Sequence, residues 1–328
     1  MFFVSGCQQQ ESEHPEESIT LSELKGHVYY LSSDLLQGRM TGSEGYLIAA
    51  NYAASQFKQS GLRPAFKSED GGMTYYQQVF PSPPVTPDKI HTADYGPDTE
   101  IFRLLSKYSG LQERIMIPSD NVAAFVIGSD PSLQDEYISA GAHLDHVGIR
   151  RDSIYNGADD NASGCSLILE VAEAVALSKP KRSVIFILYT AEEMGMVGSE
   201  FFIAHSPVQV TQIKANLNFD MVGRPDGVAC ELGVIGASEI YSGLQELIFS
   251  VNDYKLGLDL DTTDYNDYFR RSDQYSFYSA GIPAVLFTTG EHPEYHTPGD
   301  DPEKIDYEFL RKVSDLAYET IMDLANGE

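Results

Sequence analysis

The sequence predicts an α/β fold, a three-layer α/β/α domain around a mostly parallel (mixed) sheet. Short apolar runs typical of buried strands recur from Asn121 onward, and segments with apolar residues at helical spacing lie between or after them. The run at 183–189 is apolar almost throughout, as expected of a strand covered by helices on both faces. Because strands that alternate with helices build domains of this kind, the pattern indicates a largely parallel sheet.

The predicted elements can be followed along the chain. Apolar spacing predicts helices at Leu21–Leu36 and Ser43–Gly61, the second with Ser43 as its N-cap and Gly61 as its C-cap. The prolines at 81–87 and the weak pattern up to residue 119 predict surface loops with at most one short helix. The remaining predicted elements are strands at Val122–Ile127, Tyr137–Ala142, Ser183–Thr190, Ala215–Met221 and Ala284–Thr288 and helices at Ala162–Leu177, Leu244–Asn252 and Pro302–Ala325.

The charge balance and the cysteine content exclude several classes of partner and site. The 328 residues include 49 acidic and 22 basic side chains, which gives a formal net charge of −27. Such a surface repels phosphate backbones, so we expect no nucleic-acid partner. Three cysteines without a Cys-x-x-Cys pair argue against a disulfide framework and a thiolate zinc site. No apolar run approaches the roughly 18 residues that a membrane span needs.

The first 18 residues differ from the rest of the chain. Residues 1–7 resemble the end of a bacterial lipoprotein signal, in which small residues precede a cysteine that becomes lipidated, although a basic region is missing and the apolar stretch is short. A polar, acidic tether follows at 8–18. This start predicts a lipid anchor at Cys7 and a place in the cell envelope or periplasm, with an ordinary disordered N-terminus as the alternative. Residues 19–328 are expected to form a single domain.

Histidines and carboxylates gather just beyond the predicted strands, where open α/β sheets bind their ligands. Taken alone, each has an ordinary explanation, since an Asp before a helix is usually an N-cap and adjacent glutamates after a strand are usually solvated. Their convergence on one edge of the sheet instead predicts a functional site. The segments that converge are His143-Leu-Asp145-His146, Asn156 to Asn161, Glu192-Glu193, Asp220 and Glu291 to His296.

The mixture of donor types narrows the chemistry of this site. Histidine nitrogens combined with carboxylate oxygens suit zinc, or less selectively cobalt or manganese, whereas magnesium and calcium prefer oxygen ligands alone. Two histidines and three carboxylates exceed what one tetrahedral zinc accepts. Two ions fit better, because Asp160, Glu193, Asp220 and a hydroxide would neutralise two divalent cations. The sequence contains no Gly-x-Ser-x-Gly elbow, no His-Glu-x-x-His helix and no phosphate-binding glycine loop.

These motifs resemble those of the M28 family of zinc peptidases, from about residue 20 to residue 326. The resemblance implies a fold of the zinc-exopeptidase type and a peptide substrate. Leu36-Gln-Gly-Arg39 and Arg271-Ser-Asp273 belong to it as well, and Gln274 departs from it, since many relatives have His there. The main matching phrases are Gly141-Ala-His143-Leu-Asp145, Asn156-Gly-Ala-Asp-Asp160-Asn-Ala-Ser-Gly164, Thr190-Ala-Glu192-Glu193-Met-Gly195, Asn218-Phe-Asp220-Met-Val-Gly223 and Tyr295-His296-Thr-Pro-Gly-Asp300.

The resemblance also implies a role for each site residue. Glu192 is expected to be the general base that takes a proton from the attacking water. Asp145 is expected to orient His143, and Tyr295 to stabilise the oxyanion. The metal ligands that the resemblance implies are His143 and Asp220 for one zinc ion, Glu193 and His296 for the other, and Asp160 for both.

The predicted function is an exopeptidase with two zinc ions, and an aminopeptidase is favoured because a free amine is attracted by carboxylates near the metals. Glutaminyl cyclases are one alternative, since they share several metal-site residue types but use one zinc to cyclise an N-terminal glutamine. The stretch at 159–164 is peptidase-like and argues for two ions and hydrolysis. The other alternative is a binding protein that keeps the scaffold without catalysis, although no ligand or base is missing here.

Overall fold

The computed structural model describes residues 14–80, 118–225, 232–236, 242–262 and 268–327. The predicted anchor at Cys7 and the predicted loops at 81–117 lie outside these ranges. The described helices are α1 (Leu21–Leu31), α2 (Glu44–Gln59), α3 (Gly164–Ser178), α4 (Val197–Ala204), α5 (Ser242–Lys255), α6 (Gln274–Ser279) and α7 (Tyr307–Asn326). The described strands are β1 (Arg63–Pro64), β2 (Phe66–Lys67), β3 (Met73–Thr74), β4 (Tyr76–Val79), β5 (Ser119–Val126), β6 (Tyr137–His143), β7 (Ile149–Arg150), β8 (Ser153–Ile154), β9 (Ser183–Tyr189), β10 (Ile213–Phe219), β11 (Leu232–Gly236), β12 (Leu260–Asp261) and β13 (Ala284–Thr288).

Nine of these strands form one mixed sheet. Their order is β1-β5-β9-β6-β10-β13-β11-β12, and β4 pairs with β5. The central strands β9, β6, β10 and β13 are parallel to their neighbours within this set. Strand β5 is antiparallel to β9, and β11 is antiparallel to β13. The carboxyl ends of the four central strands therefore meet at one edge of the sheet, where α/β domains bind their ligands.

Helices cover both faces of this sheet. On β9, Phe186 and Leu188 belong to the apolar cluster that includes side chains of α1, α2, α3 and α7. Ile185 and Ile187 point to the opposite face and join a cluster with side chains of α4 and α6. Because residues alternate between the two faces, every residue of β9 is buried. The predicted three-layer α/β/α architecture and its mostly parallel sheet are confirmed.

Some predicted helix ends are wrong by several residues. Helix α1 ends at Leu31 rather than Leu36. The chain then forms a 3-10 segment at Asp34–Arg39 in which Gly38 takes a φ of 69°, a left-handed conformation that an α-helix cannot continue through. Leu35, which lies within the predicted helix, is outside α1 in the structure and is 82% exposed.

The second helix follows its prediction closely. The side chain of Ser43 accepts a hydrogen bond from the backbone N–H of Tyr46, as an N-cap does. The helix ends at Gln59 with Ser60 as its cap, and Gly61 follows with a φ of 79°. Short elements such as α4, α6 and β11 were not predicted, because their segments hold too few residues to display a period. No helix in the described ranges is long and apolar enough to span a membrane.

Candidate metal centre

The edge of the sheet where the parallel strands end carries the five predicted metal ligands. His143 is the last residue of β6, Asp220 comes directly after β10, and Glu193 follows β9. Asp160 lies in the buried turn that leads into α3, and His296 lies in the loop after β13. The structure brings all five side chains together in two groups of donor atoms that have Asp160 in common.

His143, Asp160 and Asp220 form the first group, called here the His143 group. Nε2 of His143 lies 3.1 Å from Oδ1 of Asp220 and 3.3 Å from Oδ1 of Asp160. Nδ1 of the same ring lies 3.0 Å from the backbone oxygen of Asp145. Because a carbonyl oxygen can only accept, Nδ1 carries the proton in the neutral ring, and Nε2 presents its lone pair to the space between the carboxylates.

The second group, called here the His296 group, consists of His146, Asp160, Glu193 and His296. Nε2 of His296 lies 3.1 Å from Oδ2 of Asp160 and 3.0 Å from Oε1 of Glu193. Nδ1 of His146 lies 2.9 Å from the same Glu193 oxygen. The four donor atoms all lie within 4.8 Å of one another, so a single ion could contact them together.

His146 was not among the predicted ligands. It belongs to the same strand-end motif as His143 and Asp145, and it is buried. A second histidine three residues after a strand-end ligand was the available signal in the sequence. That signal could not be weighed from the sequence, since the direction of the side chain depends on how the chain bends after β6.

The turn that carries Asp160 is held by hydrogen bonds on two sides. The carboxylate of Asp300 accepts the backbone N–H of Asp159 at 3.0 and 3.1 Å and that of Asp160 at 3.0 Å. The side chain of Asn161 donates to the backbone oxygen of Phe219 at 2.9 Å. These bonds tie Asp160 both to the loop that contains His296 and to the end of β10 beside Asp220. The carboxylate is therefore held between the two groups, with Oδ1 toward the first and Oδ2 toward the second.

Asp145 lies beside His143, as predicted, but the hydrogen bond to the ring comes from its backbone oxygen. Its carboxylate oxygen Oδ1 is 3.9 Å from Nδ1 of His143. The carboxylate accepts the hydroxyl of Thr41 at 2.8 Å and the backbone N–H of Glu192 at 3.1 Å. Burial raises the pKa of Asp145 to about 6. The side chain of Asp145 therefore positions the segment of Glu192 more directly than it positions the ring of His143.

Glu192 and Tyr295 line the cleft above the donor atoms, and neither belongs to the His143 group or the His296 group. Burial raises the pKa of Glu192 well above its usual value, and the neighbouring Asp220 carboxylate adds to the rise against an opposing effect of His143. Burial and the nearby carboxylates also raise the pKa of Tyr295, so its phenol stays protonated as a hydrogen-bond donor. The ring of Tyr295 stacks on His296 with a centroid separation of 4.0 Å.

The donor atoms fit divalent cations. Oε1 of Glu193 and both ring nitrogens of His146 are buried without a hydrogen-bond partner, although histidine nitrogens and the glutamate oxygen are in close contact. A buried polar atom left unsatisfied costs about 1–3 kcal/mol, and buried carboxylates need compensating positive charge. Imidazole nitrogen mixed with carboxylate oxygen is a donor set typical of zinc. The residues present therefore fit a zinc site.

Comparison with known proteins agrees with this chemistry. The model of the family described as "Peptidase family M28" matches residues 121–321, more than half of the 328-residue chain. The chain belongs to peptidase family M28.

The M28 chain is 32% identical over 180 residues to aminopeptidase YwaD of Bacillus subtilis, an alignment that covers 52% of this chain and 38% of YwaD. It is 31% identical over 166 residues to leupeptin-inactivating enzyme 1 of Streptomyces exfoliatus, covering 50% and 34%. These alignments span well under half the length of either relative.

Solved structures share the fold of this M28 chain. An aminopeptidase from Aneurinibacillus sp. strain AM-1 superposes with a TM-score of 0.68 at 19% identity, over 96% of each chain. A zinc aminopeptidase from Bacillus subtilis gives 0.68 at 19% identity, over 94% of this chain and 96% of its own. A glutaminyl cyclase from Bacteroides thetaiotaomicron gives 0.64 at 16% identity, over 93% and 98%. At these identities the likeness is one of fold.

Residues before the part that matches the M28 family also support the centre. Arg39 is 1% exposed, and its guanidinium donates to backbone oxygens on both sides of the site. It bonds Leu144 beside His143 at 3.0 Å and Gly157 before Asp160 at 3.0 Å. The segment that precedes the family match therefore joins the strand end of β6 to the turn of Asp160.

Gln274, the departure from the family pattern, has a packing role in this M28 chain. Its side chain donates to the backbone oxygen of Phe269 at 2.6 Å and accepts from the side chain of Asn218 at 3.0 Å. It belongs to neither donor group. The departure therefore affects the packing of α6 against β10 and leaves the metal centre as it is.

Proposed function

We propose that this M28 protein is an aminopeptidase that holds two zinc ions. The observation that carries the proposal is the placement of Asp160, whose two carboxylate oxygens face two different groups of histidine and carboxylate donors. Two ions 3.5–4 Å apart, roughly, are typical of hydrolases that clamp both the nucleophile and the scissile carbonyl. Relatives that align with about half of the chain are named aminopeptidases, and a zinc aminopeptidase shares its fold.

The chain would hold the two ions with separate ligands. His143 and Asp220 would bind one ion, Glu193 and His296 the other, and Asp160 both. Zinc, when bound, supplies Lewis-acid polarisation of the scissile carbonyl and lowers the pKa of water toward about 7. The bonds from Asp300 and Asn161 keep the shared carboxylate in place while substrate enters and product leaves.

Glu192 is suited to transfer a proton from the attacking water to the nitrogen of the leaving amine. Its side chain lines the cleft without belonging to a donor group, so its carboxylate is free to act as a base. It takes a proton from the water whose oxygen attacks the carbonyl carbon. It then delivers that proton to the amide nitrogen as the carbon–nitrogen bond breaks, so the products are a free amine and a carboxylic acid, which ionises by releasing its proton to solvent. Tyr295, which also lines the cleft, donates its phenolic hydrogen to the carbonyl oxygen as negative charge develops there.

The charge of the cleft favours the amino end of a peptide. Asp160, Glu192, Asp220 and Glu291 all line it. Arg271 lies there as well, but its guanidinium is paired with Glu291 at 2.5 Å. With Asp160 and Asp220 held by zinc, Glu192 and Glu291 are the carboxylates of the cleft that would be left to interact with a protonated α-amine.

A matched set of peptides tests the proposal. Zinc-loaded protein is incubated with peptides that are identical except for a free or an acetylated amino terminus, and products are identified by mass spectrometry. We expect stepwise removal of the first residue from the free peptides and no cleavage of the acetylated ones. Release of residues from the carboxyl end would contradict the aminopeptidase assignment. Conversion of an N-terminal glutamine to pyroglutamate without hydrolysis would instead identify a cyclase.

A further inference from the structure

We propose that His146 is a protein ligand of the ion in the His296 group, so that the two metal positions have unequal sets of donors. This inference rests on the proposed metal centre and concerns a residue to which the preceding mechanism gives no part. His146 lies at the end of the β6 motif, 1% exposed, and its ring lies against that of His296 with a centroid separation of 5.5 Å.

The distances around His146 are those of a ligand shell. Donor atoms bound to one tetrahedral zinc at about 2.0–2.1 Å lie about 3.3 Å from one another. Nδ1 of His146 is 2.9 Å from Oε1 of Glu193 and 3.7 Å from Oδ2 of Asp160. Nε2 of His296 is 3.0 and 3.1 Å from the same two oxygens. The two histidine nitrogens therefore face the same pair of carboxylate oxygens, at nearly equal distances from the Glu193 oxygen and with His146 farther from the Asp160 oxygen.

A hydrogen bond does not account for the contact between His146 and Glu193. Both the Nδ1 atom and the Oε1 atom are buried and lack a properly aligned hydrogen-bond partner, although they are 2.9 Å apart. An N–H that donated to this oxygen would have to point along the line between the two atoms. A cation between them satisfies the nitrogen lone pair and the oxygen charge together, without requiring that alignment.

The backbone is shaped to admit this ring. Gly157 adopts a φ of 58°, and a Cβ atom there would lie 2.6 Å from the Cγ and Cδ2 atoms of His146. The backbone N–H of His146 donates to the oxygen of Arg39 at 3.2 Å. The same Arg39 holds the oxygen of Gly157 through its guanidinium. The ring is thus fixed between two segments that are tied to one another.

Counting His146 changes what the two positions can do. The His296 group then offers four protein donors, the number found in closed zinc sites, whereas the His143 group offers three and leaves a position open. The ion in the His296 group is expected to be the more tightly held one. The ion in the His143 group is expected to exchange faster and to present the open position to substrate.

Metal titration of four proteins tests this inference. Wild type, His146→Ala, His146→Asn and the matched control His27→Asn, which replaces a buried histidine outside the centre, are stripped with chelator and titrated with Zn²⁺ against a chromophoric competitor. We expect two unequal affinities in wild type and in the control. We expect the tighter affinity to fall by about 100-fold or more in both His146 variants, since even outer partners of a ligand contribute about 10–100-fold. The visible spectrum of the Co²⁺-loaded protein should change in the same two variants.

The variant His146→Asn distinguishes two roles of His146, that of a metal ligand and that of a hydrogen-bond donor. Its amide nitrogen can donate a hydrogen bond from the place of Nδ1 but binds zinc poorly. If His146→Asn keeps both affinities and the Co²⁺ spectrum of wild type, the inference is wrong. Retention of both affinities by His146→Ala would overturn it as well. The failure of the proposed function has a different signature, namely wild type that binds two ions with these affinities yet cleaves no free peptide.

Discussion

The His143 group and the His296 group differ in how the fold positions them. His143 and Asp220 end neighbouring parallel strands whose register pairs Gly141 with Asn218, and Nδ1 of the His143 ring is held by a hydrogen bond to the backbone oxygen of Asp145. The His296 group takes donors from loops, and its Glu193 oxygen has no hydrogen bond. The His143 side chain is 1% exposed, whereas that of His296 is 28% exposed. The sheet therefore fixes the His143 group, while we expect the His296 group to depend more on the ion proposed to bind there.

Replacing Asp160 is expected to have the largest effect, because the His143 group and the His296 group both lose a donor at once. We expect Asp160→Asn to lose both zinc ions and more than about 10³-fold of peptidase activity, since several kcal/mol of charge stabilisation disappear. The measurements are metal content per chain and kcat/KM on a free peptide. Asp152→Asn, at an exposed position, is the matched control. A variant at Asp160 that still bound two ions would show that the groups do not share this residue.

Replacing Glu192 should leave both groups intact and remove the base alone. We expect Glu192→Gln to keep the zinc content of wild type and to lower kcat by about 10²–10⁴-fold, the usual contribution of a positioned general base. Glu200→Gln, on the exposed side of α4, serves as the control. Turnover near the wild-type rate would mean that another group accepts the proton, and loss of zinc would mean that Glu192 is itself a ligand.

A smaller effect is expected at Asp300, which supports the shared carboxylate without facing the cleft. Asp300→Asn weakens the bonds to the N–H groups of Asp159 and Asp160, so zinc affinity should fall by about 10–100-fold at both positions. Competition titration with Zn²⁺ measures both affinities. The neighbouring Asp301→Asn provides a control whose affinities should match wild type. An effect confined to one position would show that Asp300 orients one group only.

The sequence was sufficient to predict those parts of the fold and of the site that depend on the local pattern of apolar and polar residues. The apolar run of β9 and the parallel direction of the central strands could be predicted, and so could the edge at which His143, Glu193 and Asp220 meet. The reach of long loops could not be predicted, because it depends on tertiary packing rather than on spacing. This applies to the bonds from Asp300 to the turn of Asp160 and to the direction in which the His146 ring points.

The contacts that Arg39 makes with the metal centre are a further example of what the sequence alone cannot predict. Arg39 was visible as part of a motif, but nothing in its neighbourhood indicates that its side chain reaches the oxygens of Leu144 and Gly157. Such contacts join segments more than 100 positions apart, and only the assembled fold brings them together. The same holds for the bond from Thr41 to Asp145.

Anomalous diffraction from crystals of the zinc-loaded protein, recorded on both sides of the zinc absorption edge, tests the central claim most directly. We expect two peaks, one among His143, Asp160 and Asp220 and one among the donors of the His296 group, with one oxygen of Asp160 facing each. A single peak, or two peaks of which one lies away from Asp160, would contradict it.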